Sequence, residues 1–520
     1  MKRIIIISFI SALFFYSCDS LDLAPIDNFA SGNFWKNTSQ VDGNMLSLHN
    51  DIRNQYKLLF FLGEVRGGTQ VESMNSLGIS VVYGSPFKMN TFTKDLTGYS
   101  NWAGYYGPIL KGNNFINQVE NGCEFLSTND RGYFLGQAYG IRAYYYFMLY
   151  RTYGGVPIID KPTVMDGVIN ASDFYVPRST PKQTLDFIKS DVAKSDQYFA
   201  SDFAVKSNSL WSKGATLMLK AEIFLWSAKV TDGDQTPSSS DIQTAKDALV
   251  QLTGKFSLLD KFSDIFEYDN KENNETIFGI RFIDGEASCS FMGEFIPRSW
   301  TFENLFYSKE GKLMADTLEV GSITTTMNSE YKFELFERYQ IGDSRKDVTF
   351  LDFYRHDNNH QVIGKGLILR KFIGIINDNG IRSFVTDLPI FRYSEALLMM
   401  AELENKQGND PSPYINQVRK RAYGAHYNPD IHAYSNSDFA TNELAILYER
   451  DKEFVFEGKR WFDVRRMQDA SGRPLVFSSA ASYGTTEPIL DYATEAYKVL
   501  WPIDVNTLAD DPSIEQTPGY

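Results

Sequence analysis

The segment 131–153 constrains the fold of this 520-residue chain more than any other. Its sequence, RGYFLGQAYGIRAYYYFMLYRTY, places apolar side chains on every side of a helix. It is followed at 154–157 by GGVP, in which a C-cap glycine precedes a helix breaker. Because a helix that is apolar all round is buried between other elements, the segment predicts a core built from several helices.

Other segments repeat apolar residues at the spacing of an amphipathic helix. They are 181–198, which opens on Pro181, and 211–229, 389–406, 412–423 and 441–457. Small residues at helical spacing, such as Gly214, Ala221 and Ala228, permit close approach between helices. Tetratricopeptide-type helix pairs pack in this way, but no clean period of about 34 residues is present. We therefore predict a mainly α fold of degenerate helix pairs.

Two long insertions, 62–101 and 279–385, interrupt the helical pattern. They are rich in Gly, Asn, Thr and Ser, and a short β-like run lies at 275–280. Loops of this length in a compact protein are usually functional. The pattern predicts a rigid helical scaffold with elaborate loops, as expected of a binding protein.

The N-terminus has the features of an export signal. Lys2 and Arg3 precede the uncharged run 4–16, which is too short to cross a bilayer as a helix, and Ser17 and Cys18 follow. In bacterial lipoproteins such a cysteine carries the lipid. We predict a signal peptide at 1–17, a lipidated tether at 18–30 anchored at Cys18, and one domain at 31–520. The alternative is an ordinary secretory signal in which Cys18 is incidental.

Composition narrows the function classes. The formal net charge of −14 argues against a nucleic-acid partner. After Cys18 only Cys123 and Cys289 remain, so no disulfide framework holds the fold, and the two either pair or stay buried. Aromatic residues make up 15% of the chain. Those left on the surface would offer flat faces on which sugar rings stack.

The sequence offers little support for catalysis. His356 and His360 are four residues apart, but the segment between them has loop composition and lacks the glutamate of a zincin helix. Asp232 and Asp234 fit a solvated turn better than a calcium site. Neither a nucleophile elbow nor a phosphate-binding glycine loop occurs. We predict no metal and no cofactor, although residue types alone do not exclude a pair of glycosidase carboxylates.

Eight strings, taken together and in order, resemble the SusD/RagB family. They are 142–147 (RAYYYF), 153–157 (YGGVP), 211–215 (WSKGA), 388–398 (LPIFRYSEALL), 415–422 (INQVRKRA), 449–466 (ERDKEFVFEGKRWFDVRR), 500–504 (LWPID) and 516–520 (QTPGY). The resemblance covers nearly the whole mature chain. By their own chemistry, the mixed charges of 449–466 predict internal ion pairs, and Tyr520 is predicted to be docked.

The resemblance implies both a fold and a function. It implies an α-helical superhelix with tetratricopeptide-like pairs, lipid-anchored to the outer membrane and facing the cell exterior. It also implies a non-catalytic protein that captures glycans, or sometimes peptides, for a SusC-type TonB-dependent transporter. Peptide binding is thus the first alternative. A glycosidase and a scaffold with only protein partners are the others.

Ligand residues in this family lie on variable loops, so candidates are chosen by residue type. Trp102 either stacks on a sugar or anchors a helix start, and Trp300 either stacks or packs in the core. Arg370 fits a surface salt bridge better than a ligand contact. The full set of glycan-binding candidates is Trp102, Arg66, Asn75, Tyr83, Trp300, Arg370, Asp42 and Asn44.

Overall fold

A computed structural model describes residues 34–81, 87–97, 102–162, 171–321, 323 and 326–520. The predicted signal peptide, Cys18 and most of the tether lie outside these residues. The helices are α1 (Thr38–Asn54), α2 (Tyr56–Gly63), α3 (Ala103–Asn121), α4 (Thr128–Tyr153), α5 (Pro181–Phe199), α6 (Lys213–Lys229), α7 (Ser240–Val250), α8 (Ser299–Leu305), α9 (Phe333–Phe336), α10 (Arg345–Thr349), α11 (Tyr393–Lys406), α12 (Ser412–Tyr423), α13 (Pro429–His432), α14 (Phe439–Glu453), α15 (Arg460–Arg466), α16 (Tyr492–Glu495) and α17 (Val505–Asp510).

The described strands form three two-stranded antiparallel sheets, in which β1 pairs with β6, β2 with β3, and β4 with β5. They are β1 (Thr276–Ile280), β2 (Phe350–His356), β3 (Val362–Leu369), β4 (Ile375–Ile376), β5 (Arg382–Ser383) and β6 (Leu388–Arg392). Short 3₁₀ helices lie at Val65–Gly67, Ala171–Phe174, Ser263–Phe266, Tyr268–Asn270, Ser290–Phe295, Gly424–His426, Leu475–Phe477, Ser479–Ala481 and Ala496–Val499.

Helix α4 is the centre of the fold, as predicted. Every residue from Phe134 to Tyr153 is buried. The helix begins where the Ser127 side chain accepts a hydrogen bond from the Asp130 amide, and it ends at Gly154, whose φ is +76°. A left-handed residue at this point favours glycine. Helices α3, α5 and α6 pack around α4 and enclose it.

Consecutive helices pack as neighbours, which confirms the predicted mainly α architecture. The contacts join α3 to α4, α5 to α6, α6 to α7 and α11 to both α12 and α14. A capping box at Thr180 and Gln183 starts α5. Gly214 permits close approach, but of an aromatic ring rather than a helix, since a Cβ there would lie 2.7 Å from Phe256.

Two predicted helices have different bounds in the structure. Residues 389–392 belong to β6, and α11 begins only at Tyr393. The reason is that β1 pairs with this apolar run, from Thr276 opposite Arg392 to Ile280 opposite Leu388. The helix predicted at 441–457 ends at Glu453. Phe456 and Gly458 then take φ values of +64° and +69°, which turns the chain towards α15.

The charged segment 449–466 forms buried ion pairs, as predicted, but many of its partners come from elsewhere in the chain. Glu453 contacts Arg345 at 3.1 Å, Arg392 at 2.9 Å and also Arg421. Burial would raise the pKa of Glu453, and these guanidinium groups instead hold it well below its ordinary value. The segment thus fastens α14 to α10, α12 and β6.

Three smaller expectations can be compared with the structure. Cys123 and Cys289 are both buried and both free. Tyr520 is docked as predicted, because its hydroxyl donates to the Leu500 carbonyl at 3.0 Å and its ring lies 4.9 Å from that of Tyr497. Within the described ranges, no helix is long and apolar enough to span a membrane.

Candidate ligand-binding surface

The two predicted insertions meet and form one structural unit. The Val71 amide donates to the Glu330 carbonyl at 2.9 Å, and the Lys332 amide donates to the Thr69 carbonyl at 2.8 Å. Main-chain bonds of this kind fix the register between two segments. Segments separated by about half of the chain therefore build the same surface.

The Glu330 side chain is the link between the first insertion and strand β3. One carboxylate oxygen accepts from the Ser76 amide at 2.8 Å and the Ser76 hydroxyl at 3.0 Å, and the other accepts from the Leu367 amide at 3.1 Å. Burial raises the pKa of Glu330, and the bonds from Ser76 and Leu367 oppose that rise. Arg355 on β2 adds a bond of 2.9 Å to the Ser76 carbonyl.

Helix α8 is held on β2 by its aromatic residues. Phe302 and Phe306 are buried, and the Phe306 ring stacks on Phe353 at 3.8 Å between centroids. Tyr307 then pairs with Tyr354 through two main-chain hydrogen bonds of 2.9 and 2.8 Å. With these side chains facing β2, Trp300 near the start of α8 points to solvent.

Trp300 is 62% exposed, whereas the other six tryptophans of the chain are buried. An exposed indole ring offers a flat face on which a sugar ring can stack. Asn304 lies one helical turn after Trp300 and donates its side-chain amide to the Trp300 carbonyl at 2.8 Å. A flat ring therefore stands beside a polar amide.

We name this region the loop-junction surface and define it by Trp300, Asn304, Tyr307, Arg355 and His356. The Tyr307 and His356 rings lie edge to face, with centroids 5.4 Å apart. Tyr307, Arg355 and His356 are all partly exposed. The surface thus combines aromatic faces with amide, guanidinium and imidazole groups that can hydrogen-bond hydroxyls.

Comparison with known proteins gives a consistent result. The model of the SusD family matches residues 262–520, and a model described as "Starch-binding associating with outer membrane" matches residues 68–225. A solved SusD superfamily protein from Bacteroides fragilis is 38% identical, with 94% of this chain and 100% of that chain covered and a TM-score of 0.87. The chain belongs to the SusD family.

Two other relatives are similar along nearly the whole chain, and a third is similar over about a quarter of it. NanU of B. fragilis is 32% identical, with 96% of this chain and 100% of that chain covered and a TM-score of 0.83. SusD-like protein P38 of Formosa agariphila is 23% identical over 97% of this chain and 96% of its own length. The starch-binding protein SusD of Bacteroides thetaiotaomicron is 28% identical over 26% of this chain and 22% of its own length.

Three of the predicted ligand residues are buried in this SusD-family fold and contact other parts of the protein, and a ligand role for them stays a prediction. Trp102 is only 5% exposed and anchors the start of α3 with its ring against Tyr106 and Tyr153. Asn75 is buried, donates to the Met327 carbonyl at 2.7 Å and accepts from two loop amides at 3.0 Å.

Arg66 is the third of these buried candidates. Its side chain is completely buried, donates to Asn90 at 2.6 Å and to the Lys498 carbonyl, and lies over the Trp461 ring at 4.0 Å. Burial lowers the pKa of Arg66 to about 9. The residue pins the first insertion to the C-terminal segment.

Among the remaining candidates that the structure describes, only Trp300 belongs to the loop-junction surface. Asp42 lies on α1 and faces Lys206 at 3.4 Å, and Asn44 is partly exposed on the same helix. Arg370 follows β3 and lines a separate cavity of about 330 Å³ with Asp347 and Tyr268. Tyr83 lies outside the described residues. For these four residues a ligand role stays a prediction.

Sequence reasoning missed Tyr307, Arg355 and His356 as members of the loop-junction surface. The aromatic-rich run FLDFYRH at 350–356 was the available signal for a strand, because aromatic residues are enriched in strands. His356 ends β2 and His360 lies in the turn that leads to β3. Among the described residues, no group of three or more His, Cys, Asp or Glu side chains is placed to hold a metal ion.

Proposed function

We propose that this SusD-family protein is a cell-surface lipoprotein of the outer membrane that captures glycans and delivers them to a SusC-type TonB-dependent transporter. The observation that carries the proposal is Trp300, which is 62% exposed on the loop-junction surface. In this account the protein binds and positions its ligand and catalyses no reaction.

The chemistry of the loop-junction surface suits an oligosaccharide or polysaccharide. A sugar ring presents C–H bonds that stack on an aromatic face such as Trp300. Asn304, one helical turn after Trp300, and Arg355 on β2 have polar groups for hydroxyl contacts. Each hydroxyl exchanges water for protein, so a single binding site of this kind has modest affinity.

Two further observations support the cellular setting. One matched family model is described as starch-binding and associating with the outer membrane. The run 4–16 followed by Ser17 and Cys18 has the pattern of a lipoprotein signal. A lipid on Cys18 would hold the domain at the membrane, where a transporter partner is within reach.

The proposal of a non-catalytic protein rests on family membership and on the engaged state of Glu330, the buried acid that links the first insertion to strand β3. Both oxygens of Glu330 already accept hydrogen bonds from the protein. A glycosidase needs two carboxylates that flank the scissile bond and are free to exchange protons. Release of reducing sugar during a long incubation with a bound polysaccharide would contradict this part of the proposal.

Calorimetric titration of the purified protein against a polysaccharide panel and a peptide mixture tests the ligand class. We expect heat from at least one polysaccharide and none from the peptides. Heat from peptides alone would replace the glycan proposal with the peptide-binding alternative. Co-purification of a TonB-dependent transporter from native membranes is expected for either ligand, and its absence would contradict the delivery role.

A further inference from the structure

A cavity of about 580 Å³ lies at the C-terminal end of α4 and shares no residue with the loop-junction surface. Its walls come from residues 153–155, 177–181, 232–233, 497–500 and 513–518. Small-molecule sites in proteins typically measure about 300–1,000 Å³. The cavity therefore has room for one small ligand.

Two glycines keep the walls of this cavity open. Gly154 has a φ of +76°, and a Cβ there would lie 3.2 Å from both Asp232 Oδ2 and Leu500 Cδ1. Gly233 has a φ of +53°, and a Cβ there would lie 3.0 Å from Pro181 Cγ. Left-handed backbone favours glycine at both positions, and the missing side chains leave the Asp232 carboxylate next to bare main chain.

Asp232 carries the main unsatisfied charge of the cavity. Among the described residues, none donates a hydrogen bond to its carboxylate or forms an ion pair with it. Burial raises the pKa of Asp232 to about 6, although Arg465 and Arg178 oppose that rise. Asp232 is partly exposed, and it lines the cavity. Because its carboxylate has no protein partner there among the described residues, a bound cation would be favoured.

The nearby Arg178 does not supply that partner. Its guanidinium donates to the carbonyls of Gly155 at 2.7 Å, Tyr153 at 2.5 Å and Glu515 at 3.0 Å, with a longer contact of 3.5 Å to Thr517. Its hydrogen-bond donors are thus directed at main chain and at the C-terminal segment. The guanidinium builds the cavity wall and leaves Asp232 for a ligand.

The rest of the lining is mostly apolar or acidic. Pro177, Pro181, Leu500 and Pro518 present hydrocarbon surface, and Tyr497 adds an aromatic ring. Glu515 is exposed at the rim. Calcium and magnesium need about six oxygen ligands and favour several carboxylates, whereas Asp232 and the rim residue Glu515 are the only carboxylates among the described lining residues.

We propose that this cavity binds a small organic molecule that carries an ammonium group. The ammonium donates to Asp232, and the carbon body of the ligand contacts the prolines, Leu500 and Tyr497. The site is independent of glycan capture at the loop-junction surface, since the two share no residue. The ligand class includes amino sugars and other primary amines of similar size.

Matched ligand pairs test the proposal on the whole mature chain. D-glucosamine and D-glucose differ only in that one ring position carries an ammonium in the first and a hydroxyl in the second. Cyclohexylamine and cyclohexanol form a second such pair, in which the ring carries no other hydroxyl. We expect at least one amine to bind at millimolar concentration or below, at least about tenfold more tightly than its alcohol. Preference for glucosamine alone would assign an amino sugar, and preference for both amines would assign the ammonium group in general.

Variants separate this site from the loop-junction surface. Asp232→Asn is expected to weaken amine binding at least about tenfold. Asp186→Asn, which changes an exposed carboxylate on α5, and Trp300→Ala are expected to leave it unchanged. In the native chain, amine affinity should fall as the pH drops from about 7.5 to about 5, because Asp232 takes up a proton.

The proposal is overturned if neither amine binds better than its alcohol. It is also overturned if Asp232→Asn retains full amine affinity, or if affinity is unchanged between the two pH values. Loss of polysaccharide binding in Trp300→Ala with retained amine binding would uphold both sites. If Trp300→Ala retains both polysaccharide binding and amine binding, only the glycan site is contradicted.

Discussion

At the scale of single residues, Lys88 has an unusual environment. It lies under the region where the two insertions meet and is 4% exposed. Its ammonium donates no hydrogen bond to any of the described residues. Burial lowers its pKa from 10.5 to about 8, although Glu294, Glu72 and Glu330 favour the charged form. The folded protein therefore holds this charge at a cost.

We predict that Lys88→Met stabilises the protein by about 1–3 kcal/mol near neutral pH. Because the pKa is lowered on folding, the cost of the charge is fully present below about pH 8 and disappears as the pH rises towards 10.5. Urea unfolding at both ends of that range measures the gain. Lys365→Met, on the exposed part of β3, is the control and should show no such trend. A Lys88→Met protein that is less stable at neutral pH would contradict the assignment.

Trp102 and Trp300 show what residue type alone cannot reveal. Both are tryptophans in or near the predicted insertions, and sequence reasoning assigned each of them the same two alternatives. The structure buries Trp102 against Tyr106 and Tyr153 and leaves Trp300 exposed on α8. Burial depends on which distant segments come together, and local composition carries no such information.

At the scale of elements, α2 ends in close contact with the turn before α15. A Cβ on Gly63 would overlap the carbonyl oxygen of Gly458. We predict that Gly63→Ala lowers the free energy of unfolding by about 2–4 kcal/mol, since main chain cannot move aside as a flexible side chain does.

Gly43→Ala is the matched control for this substitution. Gly43 lies in α1, and a Cβ there meets nothing within 4 Å. Because alanine is the better helix former, this change should stabilise the protein by up to about 1 kcal/mol. Equal denaturant midpoints for the two variants would contradict the contact between α2 and the turn.

The ion pairs of α14 give a second prediction for this scale. Glu453 is buried between Arg345, Arg392 and Arg421. Glu453→Gln removes the carboxylate that these three guanidinium groups share and should cost about 3–5 kcal/mol in urea unfolding at neutral pH. The exposed pair of Lys365 and Glu337 supplies the control, for which Glu337→Gln should cost less than about 1 kcal/mol. Similar losses in both variants would show that burial is not what gives the Glu453 cluster its strength.

Element types followed from the sequence wherever the signal was local. The periodicity and caps of α4, α5 and α12 predicted their positions to within a few residues. The sequence did not predict strand β6, because an apolar run as short as Leu388–Arg392 fits either a helix or a strand. Its strand conformation depends on β1, whose pairing partner lies far away in the chain.

At the scale of the whole molecule, membrane attachment is predicted to depend on Cys18. We expect Cys18→Ser to move the protein out of the outer-membrane fraction, since no lipid can then be attached. Ser20→Ala changes the same leader but keeps the thiol, and it should remain with the membrane. Membrane fractionation followed by immunoblotting measures both. A Cys18→Ser protein that stays in the membrane fraction would contradict the lipid anchor.

The overall architecture could be predicted from the sequence, but the ligand-binding surface could not. Helix pairs depend on residues close together in the chain, and the family resemblance supplied their superhelical arrangement. The loop-junction surface needs 70–80 to lie beside 327–332 and 350–367, through contacts such as those of Glu330. One of eight candidate residues, Trp300, lies on that surface.

The affinity of a Trp300→Ala variant for a polysaccharide that the native protein binds is the most direct test of glycan capture at this surface. Ile341→Ala is the control, because Ile341 is 98% exposed outside the loop-junction surface. Calorimetry should show binding weakened at least about tenfold, or about 1.4 kcal/mol, in Trp300→Ala and unchanged in Ile341→Ala. Native affinity in Trp300→Ala would contradict glycan capture through this residue.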